Sequence, residues 1–295
     1  MSRILKEPCI YVNGNFYPKS KAMVSVFDHG LLYGDGIFET LRAYDGKILF
    51  LARHLNRLFS SASGISLKLD VSFSQIRGIL YETLKQNQLK NAYLRISLTR
   101  GEGEIGLNPD LCPVPTLIVM ARPFSGHPEE LYQSGIRASL VHIRRNAPQT
   151  TDPSIKSLNF LNNILAMHEA LRIGAREAFM LNLEGWVCEG SVSNIFWVRD
   201  GILKTPAPGC GLLAGVTREA IITLACQAGI PVSEGYFLPE DLLAAEEAFI
   251  TNTTFEVMPV TSVDQKAINH GEVGRITRFL WQEYRKNIPQ FLAEE

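Results

Sequence analysis

The first third of the chain breaks into short apolar runs punctuated by glycine, so Cys9–Tyr17, Met23–Phe27, Gly36–Tyr44 and Lys47–Leu51 read as strands. Asn13-Gly14 and Asp45-Gly46 fall among them, and both dipeptides suit the left-handed backbone of a tight hairpin turn. Helices are expected at Ala52–Ser63 and Ser72–Asn87, then apolar strands at Ala92–Arg100 and Thr116–Arg122. Together these make a small α+β domain over residues 1–122. Pro123, Gly126 and Pro128 then interrupt the pattern, so 123–130 reads as a linker. A larger second domain, 131–295, alternates strand Gly135–Arg144, helix Ser157–Ile173, strands Glu177–Leu183 and Asn194–Val198, helix Thr217–Ala228, strands Ala248–Asn252 and Met258–Val263, and helix Val273–Lys286. Within Ser157–Ile173, the residues Leu158, Leu161, Leu165, His168 and Leu171 share one face at helical spacing, which predicts that this face packs on a sheet.

The 295 residues suffice for two domains with substantial cores. Lys plus Arg number 29 against 30 for Asp plus Glu, and a net charge of -1 offers no electrostatic case for nucleic acid or an anionic membrane. A small-molecule partner is the remaining expectation. Cys9, Cys112, Cys188, Cys210 and Cys226 lie far apart with no C-x-x-C, which suits reduced thiols in a cytoplasmic setting better than disulfides or zinc. Met1 to Pro8 holds Arg3, Lys6 and Glu7 but no apolar signal core, and no stretch approaches the roughly 20 apolar residues of a membrane span, so a soluble, unexported protein is expected.

Two apparent motifs lose their force on inspection. Gly101-x-Gly103-x-x-Gly106 matches a dinucleotide fingerprint, but Leu107-Asn108-Pro109 follows where a helix is needed, and Glu102 and Glu104 would repel a pyrophosphate. The six histidines are scattered without H-x-x-x-H spacing, so metal catalysis has little support, and His29 and His54 read as local hydrogen-bonding groups. More pointed is Lys156, set just before an apolar helical run. Partial desolvation there would lower its pKa and favour the neutral, nucleophilic amine. Spacing alone does not separate this from a solvated lysine at a helix start. Gly215-Val216-Thr217 opening a helix could hold an anion on backbone N–H groups and a hydroxyl, or could be a simple Thr cap.

The strings Ile155-Lys156-Ser157-Leu158-Asn159, Glu189-Gly190-Ser191-Val192-Ser193-Asn194-Ile195-Phe196, Gly215-Val216-Thr217-Arg218 and Thr253-Thr254-Phe255-Glu256-Val257-Met258-Pro259-Val260 occur in that order. The order and content resemble the class IV, or fold-type IV, aminotransferases, which include branched-chain aminotransferases, D-amino-acid transaminases and aminodeoxychorismate lyases. The resemblance covers roughly Tyr11 to Phe279. It implies a two-domain α+β fold-type IV enzyme, with a small α/β domain and a larger, barrel-like mixed-sheet domain. The implied cofactor is pyridoxal 5'-phosphate and the implied assembly a homodimer or a higher oligomer built from dimers.

On the same resemblance, Lys156 is similar to the lysine that holds the cofactor as an imine and then moves the substrate proton. Glu189 resembles the carboxylate facing the pyridine nitrogen; without Lys156 it would be an ordinary turn carboxylate. Val216 and Thr217 would bind phosphate, joined by Thr253 and Thr254, whose N–H and hydroxyl groups would face phosphate or substrate carboxylate. Ser193, Asn194 and Leu213 are further implied cofactor contacts. In Arg53-His54-Leu55-Asn56-Arg57-Leu58 the H-x-x-R-L pattern marks Arg57 as a phosphate ligand where helix position alone would give a surface arginine. Tyr33 and Phe38, in Tyr33-Gly34-Asp35-Gly36-Ile37-Phe38-Glu39-Thr40, would border the substrate, Tyr33 by reaching the neighbouring subunit.

Tyr93 and Arg95 lie two apart on an expected strand and so share a face. The pair resembles the Tyr-x-Arg of branched-chain enzymes, and Gly106-Leu107-Asn108-Pro109 also leans toward those enzymes. Arg100 instead resembles the carboxylate-binding arginine of D-amino-acid transaminases, and the Lys156 and Glu189 strings lean toward D-amino-acid transaminases and lyases. Phe160 departs from the tyrosine of many branched-chain enzymes. The substrate-facing positions favour transfer from Leu, Ile or Val to 2-oxoglutarate, with Arg95, or alternatively Arg100, taking the second carboxylate. A D-amino-acid transaminase, an aminodeoxychorismate lyase and a noncatalytic scaffold are the competing expectations.

Overall fold

A computed structural model of the chain describes residues 7–293. It divides into two compact units. The first holds the described residues up to Ser125, together with Ile155–Asn159 and those from Phe291; the second holds Gly126–Ser154 and Phe160–Gln290.

The first unit is a six-stranded antiparallel sheet with two long helices on one face. Its strands are β1 (Cys9–Val12), β2 (Asn15–Pro18), β3 (Gly36–Tyr44), β4 (Lys47–Ile48), β5 (Ala92–Thr99) and β6 (Thr116–Pro123), in the order β2-β1-β6-β5-β3-β4. The helices are α1 (His29–Leu32), α2 (Leu51–Gly64) and α3 (Phe73–Gln86). Both expected hairpins are present. Asn13 and Gly14 have φ of 43° and 94°, and Asp45 and Gly46 have 45° and 83°, the paired positive values that let two residues reverse a twisted ribbon. Helix α3 begins with a capping box in which the Ser72 side chain accepts the Gln75 N–H and Gln75 reaches back to the Ser72 N–H. Ile37, Leu41, Leu94, Ile96, Leu98, Leu117 and Val119 face Leu55, Leu58, Ile76 and Leu80 in one core. No strand forms over Met23–Phe27, which is irregular up to a turn at Val26 and Phe27.

The second unit is built on a nine-stranded mixed sheet. Its elements are α4 (Glu129–Ser134), β7 (Ile136–Leu140), α5 (Leu161–Arg172), β8 (Glu177–Leu181), β9 (Val187–Gly190), β10 (Asn194–Arg199), β11 (Ile202–Pro206), α6 (Val216–Gln227), β12 (Val232–Gly235), α7 (Pro239–Leu243), β13 (Glu247–Asn252), β14 (Glu256–Val263), β15 (Lys266–Ala267) and α8 (Arg275–Phe291). The strand order is β12-β11-β10-β13-β14-β7-β8-β9, with β15 beside β14. The terminal strand β9 lies against β10 and β11, so this sheet curls back on itself as a half-barrel. Parallel pairing at β14-β7, β7-β8 and β11-β12 sits among antiparallel pairs, and the inner side is filled by Phe179, Ile195, Trp197, Ile250 and Met258.

Three expectations change at the segment around Lys156. The helix expected from Ser157 starts at Leu161. Residues Ile155–Asn159, expected in the larger domain, pack with the first unit, because the Leu158 N–H donates to the Gly36 carbonyl (2.8 Å) and Ser157 bridges to Ile37 on β3. A backbone committed to a strand edge cannot also make helical bonds. The buried face of α5 is Asn163, Ala166 and Ala170, while Leu161, Leu165, His168 and Leu171 are exposed. The 3.6-residue stripe is real, but it points away from the sheet of its own unit. The stretch 123–130 also carries structure at both ends, with Pro123 closing β6 and Glu129 opening α4.

Candidate active site

In the first unit the site grows from one aromatic ring. Phe38, on β3, is 5% exposed. The Lys156 Nζ lies 4.6 Å from its ring centroid and the Arg95 guanidinium carbon 3.9 Å from the same centroid. Lys156 is placed there by its backbone: its carbonyl accepts the Phe38 N–H (2.9 Å) and its N–H donates to Ser61 Oγ (3.2 Å). Strand alternation brings Phe38, Thr40 and Arg42 onto the same side as Tyr93, Arg95 and Ser97, since Arg42 is paired with Tyr93, Thr40 with Arg95 and Phe38 with Ser97. Arg95 Nε donates to Ser97 Oγ (3.2 Å), and the Tyr93 hydroxyl is 3.5 Å from that of Thr40. Cations over π faces are worth about 0.5–2 kcal/mol each, enough to bias where two mobile side chains rest.

The opposite face of β3 carries Glu39, which is fully buried. Its carboxylate accepts Arg57 Nε (2.6 Å) and Nη2 (2.9 Å) and bonds His54 Nδ1 (2.9 Å). His54 and Arg57 are three apart on α2 and so meet one partner. Burial would raise the Glu39 carboxyl, but the Arg57 charge and the His54 bond outweigh it and hold the group well below the usual carboxylate range. Burial depresses His54 despite the Glu39 bond, and the Arg57 and Lys156 charges add to the depression. Arg57 is therefore firmly oriented, with two nitrogens on Glu39. Arg100 is employed differently from the carboxylate binding expected of it: Nε and Nη2 donate to Asp35 (2.8 and 3.0 Å), and Nη1 and Nη2 to the Ser66 and Ile65 carbonyls (3.0 and 2.7 Å). Tyr33 accepts the Gly106 N–H at its hydroxyl (3.2 Å) and stacks edge-on with His29, whose Nε2 bonds the Glu104 carbonyl (2.9 Å). The glycine-rich 101–106 stretch is thus a loop clasped by α1.

In the second unit Glu189 is buried at the end of β9. Oε1 accepts Arg145 Nε (2.6 Å) and Oε2 accepts the Leu213 N–H (3.0 Å). Arg145 also donates to Asn162 and Asn163 (3.1 and 3.3 Å). Nothing in sequence reasoning singled out Arg145; Arg144-Arg145 shows no periodicity that marks the second as buried. Leu213 meets Glu189 through its backbone, and its carbonyl accepts Asn194 Nδ2 (2.9 Å). Asn194 Oδ1 fills the space a side chain at Gly215 would need, so the opening of α6 requires glycine there. Gly215 gives no side-chain cap, and the hydroxyl of the buried Thr217 makes no hydrogen bond to another described residue. The N-terminal N–H groups of a 12-residue helix and this hydroxyl together suit an anion.

Ser193 is fixed by Glu177, a fully buried carboxylate that also takes the Ser191 N–H (2.9 Å) and hydroxyl. Burial raises the Glu177 carboxyl, opposed by these donors. The Thr253-Thr254 turn departs from expectation. Thr254 directs its N–H (2.9 Å) and hydroxyl (3.0 Å) to Asn252 Oδ1, and only Thr253 keeps its N–H and hydroxyl without a partner among the described residues.

Residues 36–263 match the family model "Amino-transferase class IV". A protein of Methanocaldococcus jannaschii named as a candidate branched-chain-amino-acid aminotransferase is 43% identical over 94% of this chain and 95% of its own length. The aminodeoxychorismate lyase of Bacillus subtilis is 34% identical, covering 97% of each, and the D-alanine aminotransferase of Staphylococcus epidermidis is 34% identical over 95% of this chain and 97% of its own. Among solved structures, the Escherichia coli branched-chain amino acid aminotransferase superposes with a TM-score of 0.92 at 32% identity, covering 96% of this chain and 95% of that one. The T.th. branched-chain amino acid aminotransferase with pyridoxamine 5'-phosphate gives 0.93 at 29% identity, covering 98% of both. A match beginning at Gly36, ending at Val263 and enclosing Lys156 and Glu189 leaves one conclusion: the chain belongs to the class IV aminotransferases.

Proposed function

We propose that this chain is a pyridoxal 5'-phosphate enzyme that transfers the amino group of Leu, Ile or Val to 2-oxoglutarate. The observation that supports this most is the Phe38 ring, against which a nucleophilic amine (Lys156) and a guanidinium (Arg95) both rest. One apolar wall with one adjoining cation suits the two substrates, an aliphatic side chain and a second carboxylate, in alternation. Arg95 is favoured over Arg100 because all three Arg100 guanidinium nitrogens already donate to protein acceptors.

The residues fit the cofactor by an orphaned buried atom and by donor chemistry. Thr251 Oγ1 on β13 is buried without a hydrogen bond, and Thr217 and Thr253 hold uncommitted donors. Val216, Thr217, Thr253 and Arg57 would hold the phosphate, with Ser193 and Asn194 shaping the turn beside them. When bound, the cofactor supplies an aldehyde and an electron-withdrawing ring. Lys156 would anchor it, and its Nζ would take the proton from the substrate Cα. Glu189, fixed by Arg145 and the Leu213 N–H, would keep the cofactor's ring nitrogen protonated. Phe38 excludes water beside the amine.

A homodimer is part of this reading, with Tyr33 serving the neighbouring site. It is supported in the first unit by apolar side chains left in solvent around Tyr33, with Leu31, Ile105 and Leu107 at 66%, 73% and 84% exposure, and in the second by the outward stripe of α5. Five free thiols support a reducing, cytoplasmic setting; among the described residues no helix is long and apolar enough to cross a membrane.

A spectrophotometric screen of single half-reactions over L- and D-amino acids tests the reading. L-leucine, L-isoleucine and L-valine should convert the bound cofactor to its amine form. Conversion by D-alanine but by none of these, or pyruvate release from aminodeoxychorismate without an oxo acid, would replace the proposed substrate. Borohydride reduction should fix the cofactor to Lys156, and label on another lysine would refute that anchor.

A further inference from the structure

Strand β13 ends at Asn252, whose side chain joins two turns. Its Oδ1 accepts the Thr254 N–H (2.9 Å), the Thr254 hydroxyl (3.0 Å) and the Phe255 N–H (2.6 Å). Its Nδ2 donates to the Val192 carbonyl (3.0 Å), in the turn that follows Glu189. That second turn is anchored from beneath, because Glu177 takes the hydroxyls of Ser191 and Ser193 and Asn163 Nδ2 donates to the Ser191 carbonyl (2.7 Å). The far end of the first turn is closed as well. The Tyr132 hydroxyl donates to the Phe255 carbonyl (3.2 Å), and Glu256, in a left-handed conformation at φ 56°, bonds Arg285 Nε (2.7 Å).

Every donor of Thr254 and Phe255 is thereby drawn inward, and Thr253 alone in this turn keeps an N–H and a hydroxyl uncommitted among the described residues. A side chain that consumes its neighbours' donors while locking their backbone presents the remaining pair in a fixed direction. Preorganised donors bind an anion without the entropy loss of ordering a loop. We propose that Asn252 is a positioning residue that aims the Thr253 N–H and hydroxyl at anionic oxygens, either the carboxylate of the amino-acid substrate or the phosphate of the cofactor. The inference rests on the aminotransferase reading above.

The test uses the holoenzyme and two variants. Asn252→Ala removes the acceptor and the donor together. Asn252→Ser keeps a short hydroxyl able to form the same kind of turn more weakly but too short to reach Val192. The measurements are the dissociation constant of pyridoxal 5'-phosphate, KM and kcat for L-leucine at saturating cofactor, and the unfolding midpoint. Loss of one aimed donor pair should raise one constant about tenfold in Asn252→Ala and about threefold in Asn252→Ser. A rise in the cofactor constant alone assigns the phosphate, a rise in KM alone the substrate carboxylate, and a rise in both assigns both. In a Thr253→Val background the effect of Asn252→Ala should shrink, since the two residues act on one contact.

Unchanged constants in a variant that folds, or full additivity with Thr253→Val, would overturn the role and leave Asn252 as structural only. If Asn252→Ala does not fold, the constants of Asn252→Ser decide between the same two outcomes. A wild-type protein that neither binds the cofactor nor transaminates would sink the functional reading, and this proposal with it; normal wild-type behaviour with unaltered variants sinks only the proposal.

Discussion

At the scale of single residues, the charges near the site are buried in pairs, and that governs what substitution does. Glu189 and Arg145 are both nearly inaccessible, and removing one member leaves the other desolvated without its counter-charge. Arg145→Met should therefore cost about 3–5 kcal/mol of stability by denaturant unfolding, and it should lower kcat because Glu189 loses the bond that orients it. Retention of full stability would mean that solvent reaches Glu189. His54 makes a prediction about pH. Its imidazole is depressed by burial, so below about 6.5 the unfolded chain takes up a proton that the folded chain refuses, and acidification favours unfolding. Glu39, depressed by Arg57 and His54 against its burial, adds to the loss below about 4.3. Glu177, raised by burial, works in the opposite sense. The His54 share is therefore read as a difference: His54→Asn should flatten the fall in unfolding midpoint between pH 7 and 5, and parallel curves would contradict it. Of these groups, Glu189 and Arg57 were legible only through motif resemblance. Arg145, Glu177 and Asn252 were not legible, because a buried polar partner leaves no periodic mark on the chain.

At the scale of elements, the parts dictated by local chemistry were readable. The Asn-Gly and Asp-Gly hairpins, the helix after Ser72 and the strands β5 and β6 lie within a residue or two of where pattern alone puts them. What escaped were elements whose partner is distant in sequence. Strands β9, β11 and β12 are short and become strands by pairing in a curled sheet, and Ile155–Asn159 is extended because β3 offers it an edge. Helix α5 is the instructive case. Its apolar residues do fall in a stripe at helical spacing, but small residues, Ala166 and Ala170, form the face against the sheet. Leu161, Ile164, Leu165 and Leu171 are left outward. If that face joins subunits, Leu165→Glu should leave the unfolding midpoint of the isolated subunit nearly unchanged, as exposed substitutions do to within about 0.5 kcal/mol. It should also shift sedimentation toward monomer. A variant that still sediments as a dimer would move the interface elsewhere.

At the scale of the whole molecule, the chain leaves the first unit at Ser125 and returns to it for five residues at Ile155–Asn159. This return delivers Lys156 to Phe38, and it depends on absent side chains. A methyl at Gly36 would press on the Leu98 carbonyl and lie 2.7 Å from Leu158 Cδ1, and one at Gly64 would lie 2.9 Å from Ile155 Cδ1. Neither glycine needs a positive φ, so space and not backbone freedom explains them. Gly36→Ala should therefore destabilise by about 1–3 kcal/mol through overpacking. It should also lower the yield of borohydride-fixed cofactor on Lys156, because the segment bearing that lysine is the part able to yield. Gly78 supplies the internal comparison: it lies mid-helix in α3 with nothing within 4 Å of an added methyl. There Gly78→Ala should stabilise by about 0.5–1 kcal/mol through helix propensity, with labelling unchanged. Opposite signs from the same chemical change would tie the return of the chain to close approach at Gly36; a Gly36→Ala protein that labels and melts like wild type would show that the Lys156 segment is held without it.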